Sequence, residues 1–138
     1  MATVVLTNAF ISIGGVDLSD HANSVTINYE KDSVEITAFG SSGHSFTGGL
    51  QNNSCEIALM QDFATSPSNS VEATLYPLVG TTTTVIIKPN GSSTSATNPA
   101  YTLTGAYLAA HTPVAGAVGE LAMSTVSFTG GALTKAVV

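Results

Sequence analysis

The chain has 138 residues and a mass of 13.9 kDa, the size of one domain. Only 9% of its residues are charged, against about 25% in an ordinary soluble domain. It has three lysines, no arginine and nine carboxylates, for a net charge of -6. A protein that grips nucleic acid needs a basic surface, and no run approaches the ~18 apolar residues of a membrane span. We therefore expect neither a nucleic-acid-binding nor a membrane protein.

The single cysteine, Cys55, excludes an internal disulfide and a thiolate-rich metal site. Residues 1–15 carry no positive charge and no cleavage site behind an apolar run, unlike a signal peptide. These features predict a chain made in a reducing, intracellular compartment.

Strand patterns dominate the chain. Residues 81–87 are nearly all β-branched, which favours a pleated sheet over a helix. Polar, turn-forming residues then follow from position 89 and predict an exposed loop as far as residue 99. Besides a hairpin described next, the patterns predict strands over 10–13, 54–61, 81–88, 101–110 and 121–128.

Segment 25–39 alternates apolar and polar residues on both sides of Lys31 and Asp32. This pattern predicts a hairpin, and a turn at Lys31-Asp32 or a four-residue loop over 30–33 gives the same pairing. Its apolar face pairs Val25 with Ala38, Ile27 with Ile36 and Tyr29 with Val34. Its polar face pairs Thr26 with Thr37, Asn28 with Glu35 and Glu30 with Ser33.

One segment has a helical pattern, with apolar residues at 71, 75, 78 and 79. Ser66 or Ser70 is a suitable N-cap, and Gly80 is a suitable terminator. Pro77 removes a backbone hydrogen bond, so the helix is expected to be short. The sequence predicts a mainly β fold: an antiparallel β-sandwich or barrel with one short flanking α-helix and a long hairpin.

No pattern in the sequence favours catalysis. The histidines are far apart and lie in contexts typical of solvated loops, although a Ser/His/Asp arrangement remains open because its members can come from anywhere in a fold. No glycine-rich phosphate motif occurs. The aspartates match turns better than a calcium loop. We expect no enzyme, no metal and no cofactor; the residues considered are His21, His44, His111, Asp17, Asp20 and Asp62.

An ordered series of short motifs runs from about residue 10 to about residue 130. It comprises VDLSD (16–20), SVTIN (24–28), EITAFG (35–40), GH (43–44), GL (49–50), VEATLYPL (71–78), NPAYT (98–102) and GELA (119–122). In order and spacing this series resembles the major tail (tail tube) proteins of long-tailed bacteriophages, notably those infecting actinobacteria.

The resemblance implies a structural virion protein that assembles as hexameric rings stacked into a hollow tube. Its implied partners are further copies of itself, the tape measure protein and other tail proteins, with genomic DNA only in transit and no membrane. It implies a location in the virion tail after synthesis in the host bacterial cytoplasm. The alternative from another class is a monomeric β-sandwich binding module, such as a capsid decoration or a tail-fibre adhesion domain. The absence of tryptophan disfavours that alternative.

In such rings a long hairpin contributes to an inner barrel with an acidic lumen. Placing the predicted hairpin there predicts a lumen lined by Thr26, Asn28, Glu30, Glu35 and Thr37. In six copies the two glutamates amount to about 12 carboxylates, which repel the phosphates of DNA.

Contacts between subunits and rings are expected from loops and termini. The candidate segments are 2–9, 40–53, 90–99 and the tail after 130, because each is polar or Gly-rich and too long for a tight turn. The candidate contact residues are Gly43, His44, Gly49, Asn90, Ser93 and Asn98.

Overall fold

A computed structural model describes residues 3–63 and 70–138 of the chain. Within these ranges the fold is mainly β, as the sequence predicts, with one short helix, α1 (Val71–Leu75), and 3-10 turns at Ser19–His21 and Tyr76–Leu78. The strands are β1 (Phe10–Ile13), β2 (Val16–Asp17), β3 (Ala22–Asn28), β4 (Lys31–Glu35), β5 (Phe46–Gln51), β6 (Ser54–Met60), β7 (Thr82–Lys88), β8 (Ala100–Leu108), β9 (Met123–Thr129) and β10 (Ala132–Ala136).

Eight of these strands form one antiparallel sheet, in the order β2-β1-β7-β8-β9-β6-β3, with β10 also paired to β8. Strands β4 and β5 form a separate two-stranded sheet. The predicted strands over 10–13, 54–61, 81–88, 101–110 and 121–128 are confirmed as β1, β6, β7, β8 and β9, with small shifts at their ends. Strands β2, β5 and β10 were not predicted: β2 is only two residues long and lies in a segment expected to be a turn, and β5 and β10 lie in segments expected to be a loop and a tail.

Strand β8 is paired along one side by two successive strands. Thr104 lies opposite Ala132 of β10, and Leu108 lies opposite Phe128 of β9. The chain passes from β9 to β10 through Gly130 and Gly131, both with positive φ. A Cβ on Gly131 would lie 2.5 Å from the carbonyl oxygen of Thr104, so this crossing requires glycine.

The core lies between the inward faces of this sheet and is closed by α1. The Ser70 hydroxyl caps the helix by accepting a hydrogen bond from the backbone N–H of Ala73 at 3.2 Å. Ser70 is one of the two predicted N-caps, and the other, Ser66, lies outside the described residues. Pro77 lies in the 3-10 turn that ends the helix. The fully buried core side chains include Ile13, Leu18, Ile57, Leu59, Val71, Leu75, Val85, Leu103, Leu108, Val126 and Phe128.

The pairing predicted for the hairpin over 25–39 is wrong. Thr26 of β3 lies opposite Glu56 of β6, whereas Glu35 of β4 lies opposite Phe46 of β5. Within the described ranges no residue other than glycine adopts a positive φ, so Lys31-Asp32 does not make the tight turn that would fold β4 back onto β3. The chain instead continues outward and reverses beyond residue 36, where Gly40 has a φ of +89°.

Residues 22–60 therefore form one long two-stranded ribbon with a break in its middle. Its inner half, β3 with β6, belongs to the main sheet. Its outer half, β4 with β5 and the connecting turn, stands away from the body, since residues 31–50 are all exposed. We call residues 31–51 the arm. A long hairpin is present, as predicted, but it is longer and turns later.

Candidate assembly surfaces

The outward side of β3, β6 and β9 is polar. Strand alternation points Cys55, Ile57 and Phe128 into the core, and the residues between them point outward. Two rows of three residues cross this side in register, Thr26–Glu56–Ser127 and Asn28–Ser54–Thr129. We call these six residues the polar face.

The polar face is a shallow concavity of about 270 Å³. The side-chain amide of Asn28 donates to the hydroxyl of Ser54 at 3.2 Å, so part of its hydrogen bonding is satisfied within the face. Glu56 is the one charged residue of the six. Cys55 lies beneath it, and burial raises the pKa of its thiol to about 12, so this cysteine is not a nucleophile at neutral pH.

The structure divides the predicted lumen residues among three places. Thr26 and Asn28 lie on the polar face. Glu30 lies at the break in the ribbon, where its backbone N–H donates to the side-chain oxygen of Asn53 at 3.2 Å. Glu35 and Thr37 lie on the arm. Their lumen assignment stays a prediction, but the pairing that placed all five on one surface is wrong.

Sequence reasoning missed Glu56 as a surface residue of interest. The signal was available, since Glu56 is the one charged residue in the predicted strand 54–61 and alternates with Cys55 and Ile57. Strand alternation alone places it on the solvent side. Its neighbours across β3 and β9 become known only from the register.

A cluster of hydrogen bonds ties the outer part of the arm together. The Glu35 carboxylate accepts from Nδ1 of His44 at 2.5 Å and from the Thr37 hydroxyl at 2.9 Å. The Thr37 hydroxyl in turn accepts from the backbone N–H of Ser45 at 2.8 Å. The bond from His44, and to a smaller extent the bond from Thr37, lowers the pKa of the Glu35 carboxyl. The cluster fixes the arm close to its turn.

The arm also exposes large apolar side chains. Val34 and Ile36 were expected to face the core and instead lie exposed on the arm. Phe39, near the turn, has a relative exposure of 108%. Phe46 and Leu50 of β5 are exposed as well. These side chains lie on both sides of the arm, because Val34 is opposite Thr47 and Phe46 is opposite Glu35. Large apolar residues exposed in this number are typical of an interaction surface.

The predicted contact residues lie in two segments. Gly43, His44 and Gly49 are on the arm. Asn90 and Ser93 are exposed in the loop that follows β7. Asn98 is only 3% exposed; it organises this loop by donating to the carbonyl of Ser92 at 2.9 Å and accepting from the backbone N–H of Asn90 at 3.1 Å.

An apolar groove lies at the other end of the strands. It is lined by Tyr76, Val79, Ala110, His111 and Pro113 and has a volume of about 490 Å³. We call it the groove. Its residues come from the turn after α1 and from the loop that joins β8 to β9.

His111 is the polar residue of the groove. Its Nδ1 lies 3.1 Å from the Ser124 hydroxyl, and its Nε2 is buried with no hydrogen-bond partner among the described residues. Burial lowers the pKa of His111, against a smaller raising effect from Glu72. The expectation that every histidine is a solvated loop residue is therefore wrong for His111.

His21 is also fixed in place. It bridges two carboxylates, with Nδ1 at 2.8 Å from Asp20 and Nε2 at 3.1 Å from Asp62. Across residues 3–63 and 70–138, no group of three or more His, Cys, Asp or Glu side chains is arranged to hold a metal ion. No helix in those ranges is long and apolar enough to cross a membrane.

No protein-family model matches the sequence, and no curated protein matches it. Solved structures match in fold. A chain of the sheath–tube complex of an extracellular contractile injection system in the extended state superposes with a TM-score of 0.68 at 11% identity, covering 99% of this chain and 93% of that one. A chain of the anti-feeding prophage cap, which terminates a tube, gives 0.69 at 10% identity, covering 100% and 93%.

A chain from the tail of an empty gene transfer agent particle, refined with C6 symmetry, gives a TM-score of 0.51 at 14% identity over 83% of this chain and 81% of that one. At such low identities the likeness establishes the fold. The chain has the fold of tail tube proteins, as the resemblance in the sequence implied.

Proposed function

We propose that the chain is the major tail tube subunit of a bacteriophage, a structural virion protein without enzymatic activity. In this role it forms hexameric rings that stack into a hollow tube around a tape measure protein, and the tube conducts the genome. The observation that carries the proposal is the match of nearly the whole chain to a chain of a sheath–tube complex. The six-fold symmetry of the gene transfer agent tail supports hexameric rings.

The arm supports assembly independently of the fold comparison. An isolated two-stranded ribbon is marginally stable in water, and this ribbon also leaves Phe39 and Leu50 exposed. Within the part of the chain that the structure describes, β4 and β5 pair only with each other, so each has a free edge. Further copies of the chain would cover these edges and bury the apolar side chains.

We further propose that the polar face lines the lumen. Hydroxyl and amide groups dominate it, and Glu56 would contribute about six carboxylates per hexameric ring. With no arginine in the chain, such a lining repels phosphate groups instead of binding them. Thr26 and Asn28 keep their predicted lumen role in this arrangement, while Glu35 and Thr37 belong to the arm.

Negative-stain electron microscopy of the purified protein, together with its mass in solution, tests the tube. We expect rings or hollow tubes as the concentration rises. A protein that stays monomeric at high concentration, even with preformed tube ends added as seeds, contradicts the proposal and favours the monomeric binding module.

Gold labelling tests the lumen. Thr26 is an exposed residue of the polar face, whereas Ser93 is exposed in the loop that follows β7. Maleimide-gold on Thr26→Cys should appear along the tube axis, and on Ser93→Cys away from it. Native Cys55 does not interfere, because it is buried with a raised pKa. Gold outside the tube for Thr26→Cys contradicts the lumen assignment.

A further inference from the structure

We propose that the side chains of Gln51 and Asn53 form a clamp that fixes the direction of the arm and couples the arm to strand β10. The inference concerns the subunit itself and does not depend on the proposed tube. It rests on a continuous path of hydrogen bonds at the base of the arm, where both strands of the ribbon are interrupted.

The base of the arm lacks regular strand pairing. Pairing in the inner half of the ribbon ends at Asn28 with Ser54 and resumes in the arm at Lys31 with Gln51. Between these two pairs the ladder is interrupted on both strands. A segment with few backbone hydrogen bonds opens easily, so the angle between arm and body has to be fixed by other contacts.

The side chain of Asn53 bridges this interruption. Asn53 is 1% exposed, and its Oδ1 accepts from the backbone N–H of Glu30 at 3.2 Å. Its Nδ2 donates to Oε1 of Gln51 at 2.8 Å and to the carbonyl of Gly131 at 3.1 Å. One buried amide therefore holds the strand that enters the arm, the strand that leaves it and the crossing from β9 to β10.

The side chain of Gln51 extends the path to β10. Its Oε1 also accepts from the backbone N–H of Leu133 at 3.0 Å. Within the described residues β10 pairs only with β8, so Gln51 takes the place of a neighbouring strand on the other edge of β10. Because a backbone N–H only donates, the Gln51 atom at Leu133 is the oxygen, and the Asn53 atom that meets this oxygen is then the nitrogen.

The order of the arm's base and the order of β10 are therefore coupled. Without the acceptor on Gln51, the Nδ2 of Asn53 loses one of its two partners, and a buried donor without a partner destabilises the contacts around it. The coupling is reciprocal, since whatever holds the arm in place also stabilises β10. An arm held in this way presents its apolar side chains without the ordering cost that a freely moving ribbon incurs on contact.

Amide hydrogen exchange tests the coupling, followed on the dilute protein by mass spectrometry with amide-level fragmentation. Gln51→Met removes the acceptor at similar side-chain length, whereas the matched Gln51→Glu keeps an acceptor. In Gln51→Met, exchange at Leu133 should be roughly two- to tenfold faster, the effect of one lost hydrogen bond. Exchange at Glu30 should also be faster, although its own acceptor on Asn53 is unaltered. In Gln51→Glu both amides should stay protected.

Asn53→Asp tests the same path from its other end. The carboxylate still accepts from the N–H of Glu30 but no longer donates to Gln51, so exchange at Leu133 should become faster although its acceptor is retained. The amides of β7, which is paired on both sides, report whether the body is folded and should keep their protection. If Asn53→Asp unfolds the body, the two Gln51 variants decide the question, because Gln51 is half-buried.

A distance between two spin labels tests the direction of the arm. Nitroxides on Ser42→Cys, in the arm, and Thr125→Cys, exposed on β9, are measured in a labelled chain diluted with unlabelled protein. The distance distribution should be narrow in the otherwise native chain and in Gln51→Glu, and broad in Gln51→Met. Buried Cys55 takes up no label.

Three results would contradict the clamp. Faster exchange at Leu133 alone in Gln51→Met would mean that the hydrogen bonds act independently, which overturns the coupling. A distance distribution as narrow in Gln51→Met as in the native chain, or broad in both, would overturn the control of the arm's direction. None of these measurements requires tubes, so failure of the clamp is distinct from failure of the proposed function.

Discussion

Nδ1 of His44 and the carboxylate of Glu35 meet at 2.5 Å across the two sides of the arm. Because this bond favours the ionised carboxylate, the pKa of Glu35 is lowered in the folded chain. The bond therefore stabilises the arm above the ordinary carboxyl pKa, and its contribution is lost as the pH falls through the lowered pKa.

We expect His44→Ala to return the Glu35 pKa toward its usual range, as measured by NMR titration of the side-chain carboxyl carbon. Thr37→Val is the comparison, because Thr37 makes the second, smaller contribution; it should raise the pKa less. A Glu35 pKa that does not move in His44→Ala would show that the two side chains do not interact in solution.

Gly131 and Gly119 form a matched pair for testing the β9–β10 crossing. Both have a positive φ, but a Cβ at Gly119 meets open space, whereas at Gly131 it lies 2.5 Å from the Thr104 carbonyl oxygen. Gly119→Ala should lower the free energy of unfolding by about 1–2 kcal/mol through backbone strain. Gly131→Ala should lower it by roughly a further 1–3 kcal/mol through overlap. Urea denaturation measures both, and equal losses would contradict the crossing geometry.

The main sheet was predictable to a large extent from strand alternation. Segment 54–61 alternates because one side of its strand packs on the core, and segment 81–87 is rich in β-branched residues, which favour a sheet. Both segments form strands. The cap at Ser70 and the short helix follow from equally local rules.

The arm was not predictable by the same rules. Val34 and Ile36 alternate with polar residues in the same way as Val25 and Ile27, yet the first pair is exposed and the second is partly buried. Alternation shows that one side of a strand is apolar, but it does not distinguish a side that faces a core from one that is exposed on an arm. The polar face was predicted only in part for a related reason. The sequence pattern identified Thr26 as a polar strand residue, but its pairing with Glu56 depends on the register between β3 and β6.

Cys55 is expected to be inert in the folded protein. The residue is 1% exposed, and burial raises the pKa of its thiol to about 12, so almost none of the thiol is ionised at pH 8. Reaction with a disulfide reagent such as DTNB should be slow for the native chain and fast in denaturant. Fast reaction without denaturant would mean that β6 opens readily.

His111 should make the protein sensitive to acid. Burial lowers its pKa, so the unfolded chain binds a proton at higher pH than the folded chain does. The stability from keeping His111 neutral is present above its unfolded pKa of about 6.5 and is lost as the pH falls through the lower folded value.

The melting temperature of His111→Gln should accordingly fall less between pH 7 and pH 5 than that of the unaltered chain. His44→Gln is the control, because the His44 ring is exposed; it should follow the unaltered chain. The same acid-induced loss in His111→Gln would exclude His111 as the cause.

The register of the strands sets an order for folding. The arm pairs Glu35 with Phe46, close neighbours in sequence, whereas the main sheet is completed only when Phe10 reaches Lys88. Closing a long loop costs more chain entropy and is slower than closing a short one. During synthesis the whole arm therefore emerges before β7 has been made, and its two strands can pair while the main sheet is still incomplete. An unfinished chain thus exposes the free strand edges and apolar side chains of the arm before its main sheet is complete, so any association between chains through the arm can begin during synthesis.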